Sequence, residues 1–459
     1  MIQHSHHQIS SRCKLRIRNG QSERRSVRPS LKMFFVAGFT SLLLTGGSVA
    51  GEPADLDEKS SVAPPVNEDV GILQRKTLLG DWGGLRPALA DKGISWDLSY
   101  TAVYAGVFEG GARDKSFDWG HRVDAFIRAD TSKLGLWDGG GLHVHLESKH
   151  GDSPRRPFPR SGGLWPPNSS ATVPISGPDQ LVASAIYYSH KIGDNGLLMI
   201  GKINALDLLA SDPFFGGLGR DRFSNIAFTA PPSGVVPPVI MGAVYSHRVD
   251  PFTITFMVYD PNDWTDDYWP EGIFDDGVNL SLGITWSGKV LGRASSLGIT
   301  GTYSTQEGVD LRDLLLPPGL VAGTKKGSYN ISLSASHLFW ESPDHPGKGL
   351  GLYLRAAIAD GNPNPISSSI VGGFAGYGVI PGRPDDVVGI GYYHYNFSDE
   401  LRFGAAPLVK LGDETGVEAF YNMAVAPWFH VSAGVQWIEP IQADLPESWL
   451  GGIRARIDF

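Results

Sequence analysis

Apolar and polar residues alternate strictly in many short stretches of the chain from about residue 94 onward. The clearest stretch ends the chain, where Ile453, Ala455, Ile457 and Phe459 fall on one face and two arginines and an aspartate on the other. Successive side chains of a β-strand point to opposite faces, so this period of two predicts strands with one apolar and one polar face. About sixteen strands are predicted, and the one near Leu401 is the weakest because it contains a proline. They start near Ile94, His121, Gly141, Gln180, Leu197, Met241, Phe252, Val278, Leu297, Ser328, Leu350, Asp386, Leu401, Gly416, Phe429 and Leu450.

The connections between these strands alternate in length. Short connections lie at Gly193–Gly196, Val249–Pro251, Ser287–Gly288, Phe397–Asp399 and Pro427. Long connections run Glu109–Gly120, Gly151–Asp179, Ala205–Ile240, Pro261–Gly277, Thr305–Gly327, Gly361–Asp385 and Glu439–Trp449. Short turns at one end and long loops at the other are typical of outer-membrane barrels. The predicted fold is all-β: a transmembrane antiparallel β-barrel of about sixteen strands, with both chain ends on the periplasmic side. A soluble sandwich would also alternate, but nothing in that fold sorts connections by length.

A barrel also explains how charged and apolar residues can neighbour each other in one strand. In hydrocarbon, unpaired backbone groups cost several kcal/mol, so a sheet must close on itself with an apolar exterior. An arginine facing lipid at mid-depth costs roughly 2–4 kcal/mol, so Arg454 and Arg456 are predicted to face inward. Aromatic residues near strand ends are predicted to form the interfacial girdles. They are Tyr187, Tyr188, Tyr392, Tyr393, Tyr395, Trp428 and Trp437.

The first 50 residues have the layout of a secretory signal peptide. Residues 1–32 carry eight basic residues and one acid, an apolar stretch follows at Phe34–Leu44, and Ser48–Ala50 offers a small-residue cleavage site. Residues 51–77 read as a flexible segment, and 78–93 as a short helical segment before the barrel. Removing this leader changes the net charge from −9 to −16.

Composition excludes several classes of protein. No apolar run of 18 residues follows residue 50, which argues against a helical membrane protein. The single cysteine, Cys13, lies in the leader, which excludes a disulfide scaffold and cysteine-ligated metal. An acidic chain has no electrostatic footprint for nucleic acid. No cofactor motif occurs, and no cofactor is predicted.

Three blocks of sequence resemble the carbohydrate-selective porin (OprB-type) family. Residues 78–86, which read LLGDWGGLR, resemble its opening, and 130–143 resembles a second block. Glu418, Tyr421, Pro427–Trp428, Gln436 and Pro440 are similar to its C-terminal block, although no glycine follows Pro440. The blocks bracket residues 78–459. The resemblance implies a sixteen-stranded outer-membrane barrel that passes monosaccharides, glucose being the archetype.

The opening motif is interpreted as structural rather than sugar-binding, because its glycines let the backbone turn tightly. It comprises Gly80, Asp81, Trp82, Gly83, Gly84 and Arg86. The terminal Phe459 resembles the signal by which barrel-assembly machinery recognises its clients.

Planar donors, carboxylates and an aromatic face suit the binding of sugars in a channel. The predicted constriction residues are Trp119, Arg122, Asp124, Arg128, Glu147, Arg222, Arg454 and Arg456. For each of these residues taken singly, an equal alternative is that it is an ordinary lumen residue away from the narrowest point and does not contribute to the constriction. Ala205–Ile240 is the best candidate for a loop that folds into the pore. The acidic, aromatic segment Asp260–Asp276 is interpreted as a solvated surface loop. His143 and His145 share a face, but no third ligand is apparent and no metal site is predicted.

These patterns predict passive, sugar-preferring diffusion across the outer membrane of a Gram-negative cell, without enzymatic activity. The alternative is a nonspecific or ion-selective porin, which the acidic balance favours. An outer-membrane barrel enzyme and a soluble lectin are the weaker alternatives. The predicted partners are small sugars, outer-membrane lipid and lipopolysaccharide, and the barrel-assembly machinery. The oligomeric state is left open between monomer and trimer.

Overall fold

Sixteen antiparallel strands close into a single barrel in the computed structural model, which describes residues 71–152, 160–176, 179–317, 319–342 and 349–459. Each strand pairs with its neighbours in sequence, and β1 pairs with β16 to close the ring. The predicted fold class is confirmed. The predicted leader and residues 51–70 lie outside the described residues. The strands β1 to β16 are Ile94–Gly110, Ser116–Asp130, Gly140–Gly151, Leu181–Ile192, Gly196–Asn204, Val239–Val249, Phe252–Tyr259, Asn279–Val290, Arg293–Val309, Thr324–Glu341, Gly349–Ala359, Ile366–Tyr377, Val387–Phe397, Glu414–Ala426, Phe429–Glu439 and Ser448–Asp458.

The described helices are short and lie outside the strands. The α-helices α1 to α5 are Leu85–Ala90, Ser169–Thr172, Ala205–Leu209, Ile226–Thr229 and Asp399–Ala405, and 3₁₀ turns occupy Ile72–Gln74, Gly217–Gly219 and Leu311–Asp313. None of the described helices is long and apolar enough to cross a membrane.

Two errors in the predicted strand set cancel, which leaves the count correct. The strand expected near Leu401 is wrong: the segment forms helix α5, where the Ser398 hydroxyl accepts the Leu401 N–H and two acids occupy the first turn. Strand β12 was missed, because its sequence ISSSIVGGFAGY alternates poorly. Gly361–Asp385 is therefore not one long connection, and Phe397–Asp399 opens a long connection instead of forming a short turn.

The connections differ in length at the two ends of the barrel. The turn end, which also holds both termini of the barrel, has the connections 131–139, 193–195, 250–251, 291–292, 342–348, 378–386 and 427–428. The loop end has 111–115, 152–180, 205–238, 260–278, 310–323, 360–365, 398–413 and 440–447. The expected turn at Ser287–Gly288 lies a few residues later, at Leu291–Gly292. The sorting predicted from the sequence holds in most cases, and the loop-end connection 111–115 is the shortest exception.

The outer face of the barrel is apolar and ringed by aromatic side chains. Leu282, Ile299 and Leu333 are among the many large apolar residues exposed on it. The girdle prediction is wrong for Tyr187, Tyr393 and Tyr395. Tyr187 stacks on the inward His143, and Tyr393 and Tyr395 are buried in an apolar core inside the barrel.

That core forms because residues 160–176 of one long connection and residues 205–238 of another fold into the barrel; these two segments are called the inserted connections below. Their apolar side chains pack on the inner faces of β11 to β14. The residues from the connections include Trp165, Val173, Leu206, Leu209, Phe214, Phe223, Ile226 and Phe228, and those from the wall include Tyr353, Val371, Ala375, Val387, Tyr393 and Phe420. The interior is thus apolar on one side and polar on the other.

The N-terminal segment 71–93 lies across the turn end, at the seam between β1 and β16. The Leu78 N–H donates to the Asp458 carbonyl at 2.8 Å, and Trp82 packs on Trp96 with ring centroids 4.6 Å apart. Arg86 donates to the carbonyls of Trp96 at 3.0 Å and Phe459 at 2.6 Å. Gly83 and Gly84 adopt positive φ angles of 66° and 86°, which l-residues with side chains avoid. The motif therefore connects the first strand, β1, to the end of the last strand, β16.

Candidate functional site: the ionic belt and the inserted connections

A buried ionic cluster lies on the inner faces of β2 and β3. Arg122 Nε is 2.6 Å from Asp124 Oδ1, and its Nη2 is 2.5 Å from Glu147 Oε2. Lys149 Nζ lies 3.5 Å from the other oxygen of Glu147. Arg122, Asp124 and Glu147 are each at most 1% exposed. The alternation in these strands predicted Arg122, Asp124 and Glu147 as site residues. The cluster also contains Lys149, which was not predicted.

The cluster is bonded to both inserted connections. Arg122 Nη1 donates to the Val173 carbonyl at 2.9 Å, and Lys149 Nζ to the Pro174 carbonyl at 2.9 Å. Arg220 Nη1, in the second connection, lies 3.2 Å from Asp124 Oδ2. Arg122 and Lys149 therefore bind main-chain carbonyls of the first inserted connection. Asp124, the acid partner of Arg122, binds the guanidinium of Arg220 in the second.

His145 links the same wall to the start of the second connection. Its two ring nitrogens lie 3.0 Å from Asp124 Oδ1 and 2.8 Å from Asp207 Oδ2, and its ring stacks on Phe126 with centroids 3.9 Å apart. Asp207 was not predicted as a site residue, because nothing in the sequence pairs it with a strand 62 residues earlier.

Arg454 and Arg456 on β16 face inward as predicted and contact the second connection. Arg454 donates to the carbonyls of Gly219 and Arg222 and to the Ser224 hydroxyl. Arg456 Nη1 lies 3.0 Å from Asp221 Oδ2. The cations Arg122, Lys149, Arg220, Arg454 and Arg456, with their acids, are called the ionic belt below. Arg454 and Arg456 contact residues 219–224, whereas Arg122 and Lys149 contact residues 173–174.

Two glutamates on β14 receive the main chain of the inserted connections. Glu418 accepts the N–H groups of Ser224 at 2.6 Å and Asn225 at 2.9 Å, one on each carboxylate oxygen. Glu414 accepts N–H groups from Leu164 and Trp165 and the hydroxyl of Tyr393. The two glutamates lie four residues apart on the inward face of one strand, and that spacing was the sequence signal available for both.

Arg222 lies within the second connection and reaches the opposite wall. Its Nη2 donates to the Tyr377 hydroxyl at 3.0 Å. Nearby, burial raises the pKa of Asp212 to about 6, although the N–H groups of Phe214 and Phe215 and the charge of Arg222 oppose this shift. Arg222 is one of the predicted residues that the structure brings into the interior.

Two predicted residues lie away from this belt. Trp119 is 60% exposed on the outer face, where it packs on Tyr104, so the prediction that it contributes to the constriction is wrong. It is one residue out of phase with the inward Gly120 and Arg122. Arg128 faces inward but pairs with Asp97 at 3.1 Å, nearer the turn end and partly exposed.

Asp124, His145 and Glu147 have ligand atoms within 4.8 Å of one another, a spacing that could hold a metal ion. The residues fit an ion poorly, because Arg122 and Arg220 already neutralise the carboxylate of Asp124 and Lys149 lies against Glu147. A divalent cation would have to displace buried guanidinium groups from these oxygens. His143 instead stacks on Tyr187 and bonds to Ser189 Oγ at 2.8 Å.

Comparisons with known proteins agree with this architecture. The sequence model of the carbohydrate-selective porin, OprB family matches residues 114–459. Porin B of Pseudomonas aeruginosa is 23% identical over 422 residues, which cover 79% of this chain and 87% of that protein. The high-pH structure of Pseudomonas putida OprB has a TM-score of 0.72 at 19% identity, covering 85% of this chain and all of that one. The low-pH structure of the same protein has a TM-score of 0.55 at 16% identity, covering 84% and 99%.

Proposed function

Because this chain belongs to the carbohydrate-selective porin, OprB family, we propose that it conducts glucose-like monosaccharides across the outer membrane by passive diffusion. The protein is a porin and a channel, not an enzyme, and its family supports an outer-membrane location. Transport of this kind needs a lumen narrow enough to contact the solute and polar enough to replace its hydration.

One observation carries the proposal: the inserted connections narrow the lumen and are fixed there by buried ionic and hydrogen bonds. An arginine cluster and its acids hold them on the side of β1 to β3 and β16, and glutamates hold them on β14. We propose that Arg122, Asp124, Glu147, Arg454 and Arg456 define the constriction by positioning these connections. Arg222 takes the same role from within the second connection. Arg128 lies at the turn end and contributes charge to that vestibule.

Liposome swelling with the purified protein tests the proposal. We expect swelling to be faster in glucose than in a disaccharide, and faster in glucose than in succinate or phosphate. In planar bilayers, glucose should reduce the ionic current. A current that phosphate or succinate blocks and glucose does not would reject sugar selectivity. Equal rates for all small solutes would favour the nonspecific porin.

We further propose that residues 1–50 are a cleaved leader that directs export to a Gram-negative outer membrane. There the barrel would contact lipid and lipopolysaccharide after insertion by the barrel-assembly machinery, which would read the terminal Phe459. The intact mass of the protein from purified outer membranes tests the cleavage, which should leave Gly51 as the first residue. Native mass spectrometry in detergent distinguishes a monomer from a trimer.

A further inference from the structure

Residues 71–90, called the rim segment below, lie against the lipid-facing side of the barrel at its turn end. Trp82 packs on Trp96 of β1 with ring centroids 4.6 Å apart. Trp96 lies opposite Ile127 in the sheet and is in phase with Tyr104, and both of these residues are exposed on the outer face. Since every second side chain of a strand points to the same face, Trp96 faces outward as well. The middle of the rim segment is therefore on the side of the wall that faces lipid.

The rim segment follows the turn end across three strands. Its first residues lie at β15, where the Ile72 carbonyl accepts the indole N–H of Trp428 at 2.8 Å and Trp428 stacks on Phe429 with centroids 5.7 Å apart. The Leu78 N–H donates to the Asp458 carbonyl at the end of β16. Together with the packing on β1, these contacts hold the segment along the outside of the seam.

Large apolar side chains are exposed along this rim. Lys133 Nζ donates to the Ala90 carbonyl at 3.3 Å, so the connection 131–139 adjoins the end of the rim segment. A contiguous exposed apolar surface marks a site of interaction with a protein or a membrane. The exposed residues are Ile72, Leu73, Leu79 and Leu85 in the rim segment and Leu134, Leu136 and Trp137 in the connection. The apolar outer face of the barrel thus continues along the rim.

The rim segment is basic, although the chain as a whole is acidic. It carries the bases Arg75, Lys76 and Arg86 and the acid Asp81, whereas the chain has a net charge of −9. Apolar and basic side chains together are typical of segments that lie in the interface of a membrane. Basic segments are attracted to anionic lipid head groups. An anionic phospholipid surface is therefore the partner whose charge and polarity fit this segment.

We infer that the rim segment binds the lipid surface of the periplasmic leaflet, on which the predicted orientation of the barrel places the turn end. Interfacial segments bury their apolar side about 5–10 Å into the boundary between head groups and acyl chains. The exposed side chains of Leu73 and Leu79 lie in that boundary, and Arg75 and Lys76 lie at the phosphate groups. The segment thereby anchors the seam between β1 and β16 to the leaflet. This role does not depend on the solute that the channel passes.

Nitroxide labelling measures where the rim segment lies. Leu73→Cys and Leu79→Cys each receive the label in a Cys13→Ser background, in the full chain reconstituted into nanodiscs of phosphatidylethanolamine and phosphatidylglycerol. Collisions of the label with oxygen, which dissolves in lipid, and with a water-soluble nickel chelate give its depth. Ile299→Cys on the outer face is the lipid control, and Asp194→Cys in the exposed turn between β4 and β5 is the water control at the same end of the barrel.

We expect the ratio of oxygen to nickel collisions at both leucine positions to be several-fold higher than at Asp194→Cys and close to that at Ile299→Cys. A ratio equal to that of Asp194→Cys at Leu73→Cys and Leu79→Cys would overturn the inference. Protection from nickel only in discs that hold two barrels would assign the surface to a second copy of the chain, which also overturns it.

Trypsin digestion tests the contact with anionic lipid without labels. Cleavage after Arg75 and Lys76 should be several-fold slower in discs with phosphatidylglycerol than in discs of phosphatidylcholine alone, and salt should reduce the difference because it screens exposed charges. Cleavage after Lys115, which is exposed at the loop end, is the internal control and should not change. Equal cleavage rates after Arg75 and Lys76 in the two lipids would contradict the anionic contact. A channel that passes no glucose but has protected labels would reject the proposed function and leave this inference intact.

Discussion

Removing the Glu418 carboxylate should release the second inserted connection from the barrel wall. Glu418 accepts two main-chain N–H groups, from Ser224 and Asn225, at a site that is 1% exposed. In Glu418→Ala both donors lose their partner, and each buried unsatisfied donor costs about 1–3 kcal/mol, so the inserted state loses about 4 kcal/mol. At 1.4 kcal/mol per factor of ten, the ratio of inserted to displaced connection falls by several hundred-fold. Glu418→Gln keeps one acceptor oxygen and should lose about 2 kcal/mol.

Limited trypsin digestion measures this displacement. Arg220 and Arg222 are 8% and 6% exposed while the connection is inserted, so cleavage there requires it to open. When opening is fast relative to cleavage, the cleavage rate follows the population of the open form. We expect cleavage at these two sites to increase in the order wild type, Glu418→Gln, Glu418→Ala. The single-channel conductance should increase in the same order, because the connection leaves the lumen.

Glu439→Gln is the control, since Glu439 is exposed at the loop end of β15 and its charge change should leave cleavage and conductance as in wild type. Wild-type cleavage rates and conductance in Glu418→Ala would refute the reasoning. The connection would then be held by its apolar core and the arginine contacts alone.

Three further substitutions test other parts of the structure. Arg86→Ala should lower the thermal midpoint in detergent, because two hydrogen bonds from a charged group are lost at the seam, about 3 kcal/mol in total. The exposed Arg113→Ala is its control, and equal midpoints would contradict the role of the seam. Asp212 has a raised pKa of about 6, so its contribution to stability is present at low pH and is lost as the pH rises through 6. Asp212→Asn should therefore raise the midpoint above wild type more at pH 7.5 than at pH 4.5, and a pH-independent difference would count against this. A Cβ on Gly106 would lie 2.1 Å from a carbonyl oxygen of β2, so Gly106→Ala should reduce the folded, heat-modifiable fraction seen by electrophoresis. Gly301→Ala meets nothing within 4 Å and should fold normally, and similar yields for the two variants would argue against the packing described.

The closed barrel was predictable from the sequence because every side chain that faces lipid must be apolar, which makes every second residue of a strand apolar. Where a strand has apolar side chains toward lipid and polar or charged side chains toward the interior, as in β8 and β16, the period of two is clear. Strand β12 escaped because its inner face packs on an apolar core, so apolar residues such as Val371 occupy both faces. For the same reason Tyr393 and Tyr395 could not be distinguished from girdle residues.

The candidate site was only partly predictable, because its contacts join residues far apart in sequence. The alternation of β2 and β3 placed Arg122, Asp124 and Glu147 on one face, and the structure brings them within bonding distance. Their partners in the inserted connections lie 51 to 96 residues away, and no local pattern fixes where an irregular connection folds. The prediction for Trp119 was wrong by one position, because near a strand end the sequence does not fix which of two successive side chains faces the interior.

The bond between Arg86 and the last residue has a practical consequence for engineering. The segment that precedes β1 meets the last residue at the turn end, where Arg86 binds the Phe459 carbonyl and the Leu78 N–H donates to the Asp458 carbonyl. An affinity tag fused after Phe459 would extend the chain from the point where Arg86 binds. In a circular permutant, a short linker would join Phe459 to the segment before β1, and the new termini would lie in the connection 310–323. Such a protein would keep all sixteen pairs of neighbouring strands. Such a permutant offers a scaffold in which cargo is displayed from the opposite rim.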